Sequence, residues 1–126
     1  MKVVLDTSAL LTWLRGEPGA DVVHPLLPTA IMSAANWSEA CRKLQQRGVD
    51  AERITSRLRT LGIHVEPFTE ADALMAANLA SRTRAAGLSL GDRCCLALGA
   101  RLNLTTVTAD TTWADLDLDM PVQIIR

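Results

Sequence analysis

The chain has 126 residues, 48% of them hydrophobic and 21% charged, and a formal net charge of −1. That length predicts a single domain over residues 1–126 with a core of its own, and the composition excludes a disordered chain. No apolar run approaches the ~20 residues of a membrane span and no signal peptide is visible, so a cytoplasmic protein with no membrane partner is expected.

The near-neutral charge argues against simple long-range attraction to nucleic acid. The cations are lopsided, eleven arginines against Lys2 and Lys43, and a guanidinium suits bidentate phosphate contacts better than an ammonium. The three cysteines, Cys41, Cys94 and Cys95, show no ligand-like spacing with histidine. They fit a reducing compartment and read as small buried apolar residues. His24 and His64 have no partner motif and read as structural.

In chain order, Val3-Val4-Leu5 reads as a short buried strand ending at Asp6, followed by Thr7, Ser8 and a helical segment from Ala9 to Leu14. The cluster Arg15-Gly16-Glu17-Pro18-Gly19 breaks it, and Pro25 and Pro28 hold the next stretch to a short helix or turn. Ala30 to Ser33 is a second strand. Ala34 to Arg47 is a helix stopped by Gly48, with Ala40, Cys41 and Leu44 as its apolar stripe and Trp37 one turn earlier. Asp50 caps a helix over Ala51 to Leu61, closed by Gly62. Ile63 to Phe68 supplies a third strand, cut by Pro67. Thr69-Glu70-Ala71-Asp72 has the form of a capping box and opens one long helix running to Gly87; Ser89-Leu90-Gly91-Asp92 repeats the device before a helix to Leu102. Leu104 to Thr108 is a fourth strand leading to Asp110, Thr111 to Ala114 a turn of helix, and Pro121 to Ile125 a last strand. Strands alternating with helices over short connections predict an α/β domain with a parallel sheet covered on both faces.

Asp6, Asp92 and Asp110 each stand near the amino end of a helix, where an acid serves as a cap or as a partner of the helix dipole. Glu39 lies inside a helix, three and four residues before Arg42 and Lys43, where its ordinary use is a surface ion pair worth ~0.3–0.5 kcal/mol. The alternative is that these acids share the crevice at the carboxyl ends of central strands. Carboxylates within ~5 Å of one another cost roughly 3 kcal/mol per pair at an effective dielectric near ~20, so such a cluster needs protons or a divalent cation. All-oxygen ligation selects Mg²⁺ or Mn²⁺, which leads to metal-assisted phosphodiester hydrolysis.

Val3-Val4-Leu5-Asp6-Thr7-Ser8-Ala9-Leu10, Glu39 on a helix after Ser33, Leu88-Ser89-Leu90-Gly91-Asp92 and Val107-Thr108-Ala109-Asp110 together resemble the PIN-domain family over essentially the whole chain, and within it the VapC-type toxins of bacterial toxin–antitoxin pairs. The resemblance implies a three-layer α/β/α sandwich around a short central parallel sheet. It implies a Mg²⁺-dependent endoribonuclease, Mn²⁺ able to substitute, that cuts RNA (tRNA, rRNA or mRNA) with a metal-activated water. Asp6, Glu39 and Asp92 match the family's three most regular acids and Asp110 the more variable fourth, so these four are the expected catalytic and metal-binding residues; Asp115 is the alternative to Asp110. Thr7 and Ser8 match hydroxyls beside the metal, and Thr108 the hydroxyl supporting the fourth acid. A homodimer and a VapB-type antitoxin lying across the site are also implied, with the apolar helices Ala9 to Leu14 and Ile54 to Leu61 as candidate surfaces. Arg15, Arg42 and Arg93, with Arg82 and Arg84, are the candidate RNA contacts. Asp117 and Asp119 read as solvated loop charges, and Trp13, Trp37 and Trp113 as packing residues.

Other readings compete. An aspartyl-phosphate phosphohydrolase resembling haloacid-dehalogenase-like enzymes would want a second Asp where Ser8 stands, and a receiver-like module a lysine later than Lys43. A non-catalytic PIN-like module would bind RNA without cutting it; the filling of all four acidic positions speaks against that.

Overall fold

The computed structural model describes residues 1–126. Its strands, β1 (Val3–Leu5), β2 (Ala30–Ser33), β3 (His64–Glu66), β4 (Thr106–Thr108) and β5 (Val122–Ile124), form one sheet of five in the order β3-β2-β1-β4-β5, with every pairing parallel. The chain winds outward from β1 to β3 and then returns to β4 on the other side of β1. The strand order therefore reverses between β1 and β4, where open α/β sheets place their ligand crevice.

Seven α-helices surround the sheet: α1 (Thr7–Arg15), α2 (Ala20–Val23), α3 (Ala34–Gln46), α4 (Ala51–Leu61), α5 (Glu70–Asn78), α6 (Ala80–Thr83) and α7 (Leu90–Leu102). Alternation along the central strands divides the core in two. Val3, Leu5 and Met32 pack with Leu10, Ala40 and Leu58 beneath α1, α3 and α4; Val4 and Ile31 face the other way, onto Leu79, Cys95, Leu96 and Leu98. Burying a side chain such as Leu58 contributes about 1.5–3 kcal/mol. The expected three-layer arrangement follows directly from this alternation.

Two expectations need correction. The helix predicted to run unbroken to Gly87 is interrupted at Leu79, continuing as α6 and a 3₁₀ turn over Arg84–Ala86. The Ala76 carbonyl, which an unbroken helix would offer to Ala80, accepts from Arg93 Nη1 at 2.8 Å, and Leu79 is buried in the second core. The apolar surface expected on Ala9 to Leu14 is mostly absorbed, since Ala9, Leu10 and Leu11 are buried. On α4, Leu58 is buried and Leu61 exposed; the other exposed large apolar residues include Leu74 and Met75 on α5, and Leu90.

Candidate functional site

The register of β1 against β4 pairs Leu5 with Val107, so the residues that follow, Asp6 and Thr108, meet at the switch point. Asp6 occupies the cap position of α1 in an extended conformation, yet its side chain makes no capping bond. Instead Asp6 Oδ2 accepts from Ser8 Oγ at 2.6 Å and from Thr108 Oγ1 at 2.9 Å. Ser8 Oγ in turn accepts from the Ala109 amide at 3.0 Å, and Thr108 Oγ1 from the Asp110 amide at 3.1 Å. The two hydroxyls thus tie the ends of β1 and β4 together around a carboxylate that is only 2% exposed.

Glu39 reaches the same place from α3. It pairs with neither Arg42 nor Lys43; its Oε1 accepts a hydrogen bond from the Thr7 hydroxyl. A β-carbon on Gly91 would stand 2.8 Å from Glu39 Oε2, so glycine is what lets this carboxylate lie against the first turn of α7. Asp92, in that turn, completes a capping box: Ser89 N donates to Asp92 Oδ2 at 2.9 Å and Asp92 N to Ser89 Oγ at 3.2 Å. Asp110 caps the 3₁₀ turn Thr111–Asp115, its Oδ1 accepting from Thr112 N at 2.9 Å and Thr112 Oγ1 at 2.7 Å. Asp115 stands exposed at the far end of that turn.

Capping is therefore true of Asp92 and Asp110 without being sufficient. Each of the four acids is anchored through one oxygen. The other oxygen of Glu39, Asp92 and Asp110 receives no hydrogen bond, and Asp6 Oδ1 has only the Cys95 thiol at 3.6 Å. None of the four is paired with a cation.

Repulsion from neighbouring acids is felt at Asp6 and at Asp92. Burial, with Asp92 and then Glu39 adding to it, raises the Asp6 carboxyl to about 6 against the lowering hydrogen bonds from the Ser8 and Thr108 hydroxyls. Asp92 is raised by burial and by Glu39 and Asp110, against its hydrogen bonds from Ser89. The four carboxylates thus belong to one electrostatic site. As they stand, no three acidic, histidine or cysteine side chains form a closed metal cage; the free oxygens of the partly exposed Glu39, Asp92 and Asp110 would swing toward Asp6 to make one. The donor set itself, all oxygen, negative and without a protein counter-charge, fits a hard divalent cation.

A family model described as the PIN domain matches residues 3–118. The chain belongs to the PIN domain family. Ribonuclease VapC42 of Mycobacterium tuberculosis is 36% identical over 80 residues, 60% of this chain and 61% of that one, so the match spans about three fifths of the length of the curated relatives. Among solved structures, a toxin–antitoxin complex from Klebsiella pneumoniae superposes with a TM-score of 0.73 at 19% identity, covering 90% of this chain and 91% of that one. FitAcB from Neisseria gonorrhoeae superposes at 0.69 with 26% identity, covering 98% and 96%. Family membership leaves the phosphohydrolase and receiver-like alternatives without support.

The site of this PIN domain has parts that the sequence did not announce. Asn36 is fully buried; its Nδ2 donates to Gly91 O at 2.9 Å and to Thr7 Oγ1 at 3.3 Å, joining α3 to α1 and α7. A polar residue one turn before buried Ala40 was the available signal. Cys95, read as a core residue, is buried but also touches the site: its Sγ lies 3.1 Å from Asp92 O, and burial with Asp6 and Asp92 beside it raises the thiol well above its usual range.

The candidate RNA-contacting arginines divide. Arg93 is partly buried and committed to Ala76, so its position next to Asp92 in sequence does not make it a free cation at the site. Arg82 pairs with Asp119 at 3.1 Å, an acid that stays 86% exposed as expected of a solvated loop charge. Arg42 is exposed and unpaired, and Arg15 lines a polar cavity that also includes Ser8 and Asp110. The largest cavity, about 570 Å³, lies elsewhere, among residues such as Lys2, Ala30 and His64 at the opposite end of the sheet, and none of the four acids lines it.

Proposed function

We propose that this PIN domain is a divalent-metal-dependent endoribonuclease, the toxin of a VapBC-type toxin–antitoxin pair, acting on tRNA, rRNA or mRNA. What supports the reading is that Asp6, Glu39, Asp92 and Asp110 influence one another across four elements near the β1/β4 switch point, each held by one oxygen and none in an ion pair. Nucleases of this family depend on a divalent metal; Mg²⁺, with Mn²⁺ able to substitute, is the ion this oxygen set favours. Asp6 and Asp92 would hold it, with Glu39 and Asp110 completing the set.

A divalent ion in such a site supplies charge neutralisation at the phosphate and activation of water. The chain's own part is to orient. Ser8 and Thr108 hold Asp6, Thr7 holds Glu39 and the Ser89 box holds Asp92, each through one oxygen, so the carboxylates would need only to turn their free oxygens inward to take up the ion. No histidine lies among these residues, which leaves proton handling to the carboxylates and solvent. The ribonuclease named VapC42 and the toxin–antitoxin complexes among the structural neighbours support this assignment. An antitoxin partner and a homodimer belong to the same proposal.

The test is cleavage of purified tRNA, rRNA and mRNA with Mg²⁺ or Mn²⁺, against excess EDTA. Internal cuts leaving 5′ phosphates are expected, with loss of cutting in Asp6→Asn while its circular dichroism stays that of the parent. Cutting that persists in EDTA would overturn the reading.

A further inference from the structure

A polar cavity of about 440 Å³ opens beside the carboxylate site, a size usual for small-ligand sites, about 300–1,000 Å³. Asp110, one of the four acids, lines it together with Ser8, whose hydroxyl donates to Asp6; Arg15, Lys43 and Arg126 line it as well, with Glu17. Arg126 is already committed, its Nη2 lying 3.3 Å from Glu17 Oε1 and 3.2 Å from Thr12 Oγ1, and its Nε 3.2 Å from Pro18 O. That pair cancels, and Asp110 is turned to Thr112 through one oxygen. Arg15 and Lys43 remain exposed, without an ion pair.

Their simplest role is to oppose the negative carboxyl ends of α1 and α3, in whose last turns they sit. The dipole accounts for their sign. It does not account for two cations from different helices converging on one cavity that abuts the acids. Repulsion among carboxylates and attraction between cations and anions put opposite demands on a ligand at the two ends of this surface. A strand that repeats a phosphate at every nucleotide meets both, one phosphate reaching the acids with their metal and its neighbour reaching the bare cations.

We propose that this cavity is a phosphate subsite, in which Arg15 and Lys43 seat a backbone phosphodiester of single-stranded RNA adjacent to the one at the carboxylates. The inference rests on the reading of those carboxylates as an RNA-cutting site and gives its substrate a second fixed point. Arg15 offers the planar fork and Lys43 a point charge for one phosphate.

The test is binding of a short fluorescein-labelled single-stranded RNA, followed by anisotropy across a salt series in EDTA so that nothing is cut. The double variant Arg15→Gln/Lys43→Gln is expected to bind about tenfold more weakly, with a salt slope shallower by about 0.7 for the one phosphate released. Arg57→Gln/Arg59→Gln, which removes the same charge from exposed positions on α4 outside the cavity, is expected to keep the parent slope. So is the charge-preserving Arg15→Lys/Lys43→Arg, which checks that loss in the Gln pair is not loss of fold. Equal losses in both Gln pairs, an unchanged slope in the first, or a slope lost in the charge-preserving pair would overturn the subsite. Complete displacement of the RNA by polyglutamate at matched charge would assign the cavity to an acidic peptide instead and overturn it too. A protein that cuts RNA but shows none of the slope change costs only this inference; one that binds as described and never cuts costs the nuclease reading.

Discussion

Thr69–Asp72 and Ser89–Asp92 are the same local device, a hydroxyl residue and an aspartate three positions on that satisfy each other's amides at the start of a helix. Their aspartates nevertheless end in opposite electrostatic states. Asp72 spends one oxygen on Thr69 N, at 3.2 Å, and the other on Arg101 Nε, at 2.8 Å. Burial would raise its carboxyl, but Arg101 and the Thr69 bonds outweigh burial and hold it below the usual range. Asp92 spends one oxygen on Ser89 N, finds no cation for the other, and is raised by burial and by Glu39 and Asp110. A capping box therefore reports how a helix begins. What its second oxygen faces decides whether the acid stabilises the fold or is held ready for something not supplied by the chain.

The sharpest way to break the contrast is the same substitution in both boxes. Asp92→Asn keeps an acceptor for the cap and relieves repulsion; RNA cleavage should fall by about 10³-fold or more while urea unfolding shows stability unchanged or raised. Asp72→Asn strips the charge from a hydrogen-bonded ion pair; stability should fall by about 1–2 kcal/mol while turnover per folded molecule stays at the parent level. Similar losses of turnover in the two variants would show that the boxes are alike after all.

The boxes also show what a sequence makes legible. Both could be read from residues three apart, as could the Asp50 cap and the helix Ala51–Leu61 it opens, because the determining bonds are local. Asp6 and Asp110 were placed at strand ends because apolar or β-branched runs stop there. The partners were not legible: Arg101 lies 29 residues from Asp72, and Thr7 lies 32 from Glu39. Those pairings depend on strand order and helix docking, for which periodicity carries no term. The break at Leu79 is of the same kind, since nothing in an alanine-rich run without Gly or Pro reveals that Arg93 will claim the Ala76 carbonyl. The family resemblance supplied the set of four acids; the residues alone left Asp92 and Asp110 open as caps, which they also are.

The next prediction uses pH. Asp6, raised to about 6, binds its proton more tightly folded than unfolded, so metal-free protein should lose stability as pH rises from about 4 to about 7, Asp6 contributing at most about 3 kcal/mol and Asp92, also raised, adding in the same sense. Asp72 works in the opposite sense: its contribution is present above the ordinary carboxylate range and is lost as pH falls through its lowered value. Asp6→Asn should flatten the loss toward neutral pH and leave the acid limb, whereas Asp72→Asn should weaken the acid limb alone. At neutral pH, Mg²⁺ or Mn²⁺ should restore stability to the parent and do nothing for Asp6→Asn. Urea unfolding against pH, with and without metal, reads all of this; a parent profile flat between those limits would remove Asp6 from the account.

The smallest effect probes the anchoring itself. Thr7 is buried, donates to Glu39, and accepts from Asn36 Nδ2 at 3.3 Å. Thr7→Val preserves the shape and deletes the hydroxyl, while Asn36 retains its 2.9 Å bond to Gly91 O, so the fold should lose no more than about 1 kcal/mol. Glu39 would keep its place on α3 but lose the bond that orients it, and a carboxylate free to rotate must be ordered again by the incoming ion. The metal concentration needed for half-maximal cleavage should therefore rise about tenfold, with the maximal rate at saturating metal much less affected, and Thr7→Ser should restore it. If the valine variant takes up metal as the parent does, the Thr7 bond holds α1 to α3 and has no part in presenting Glu39.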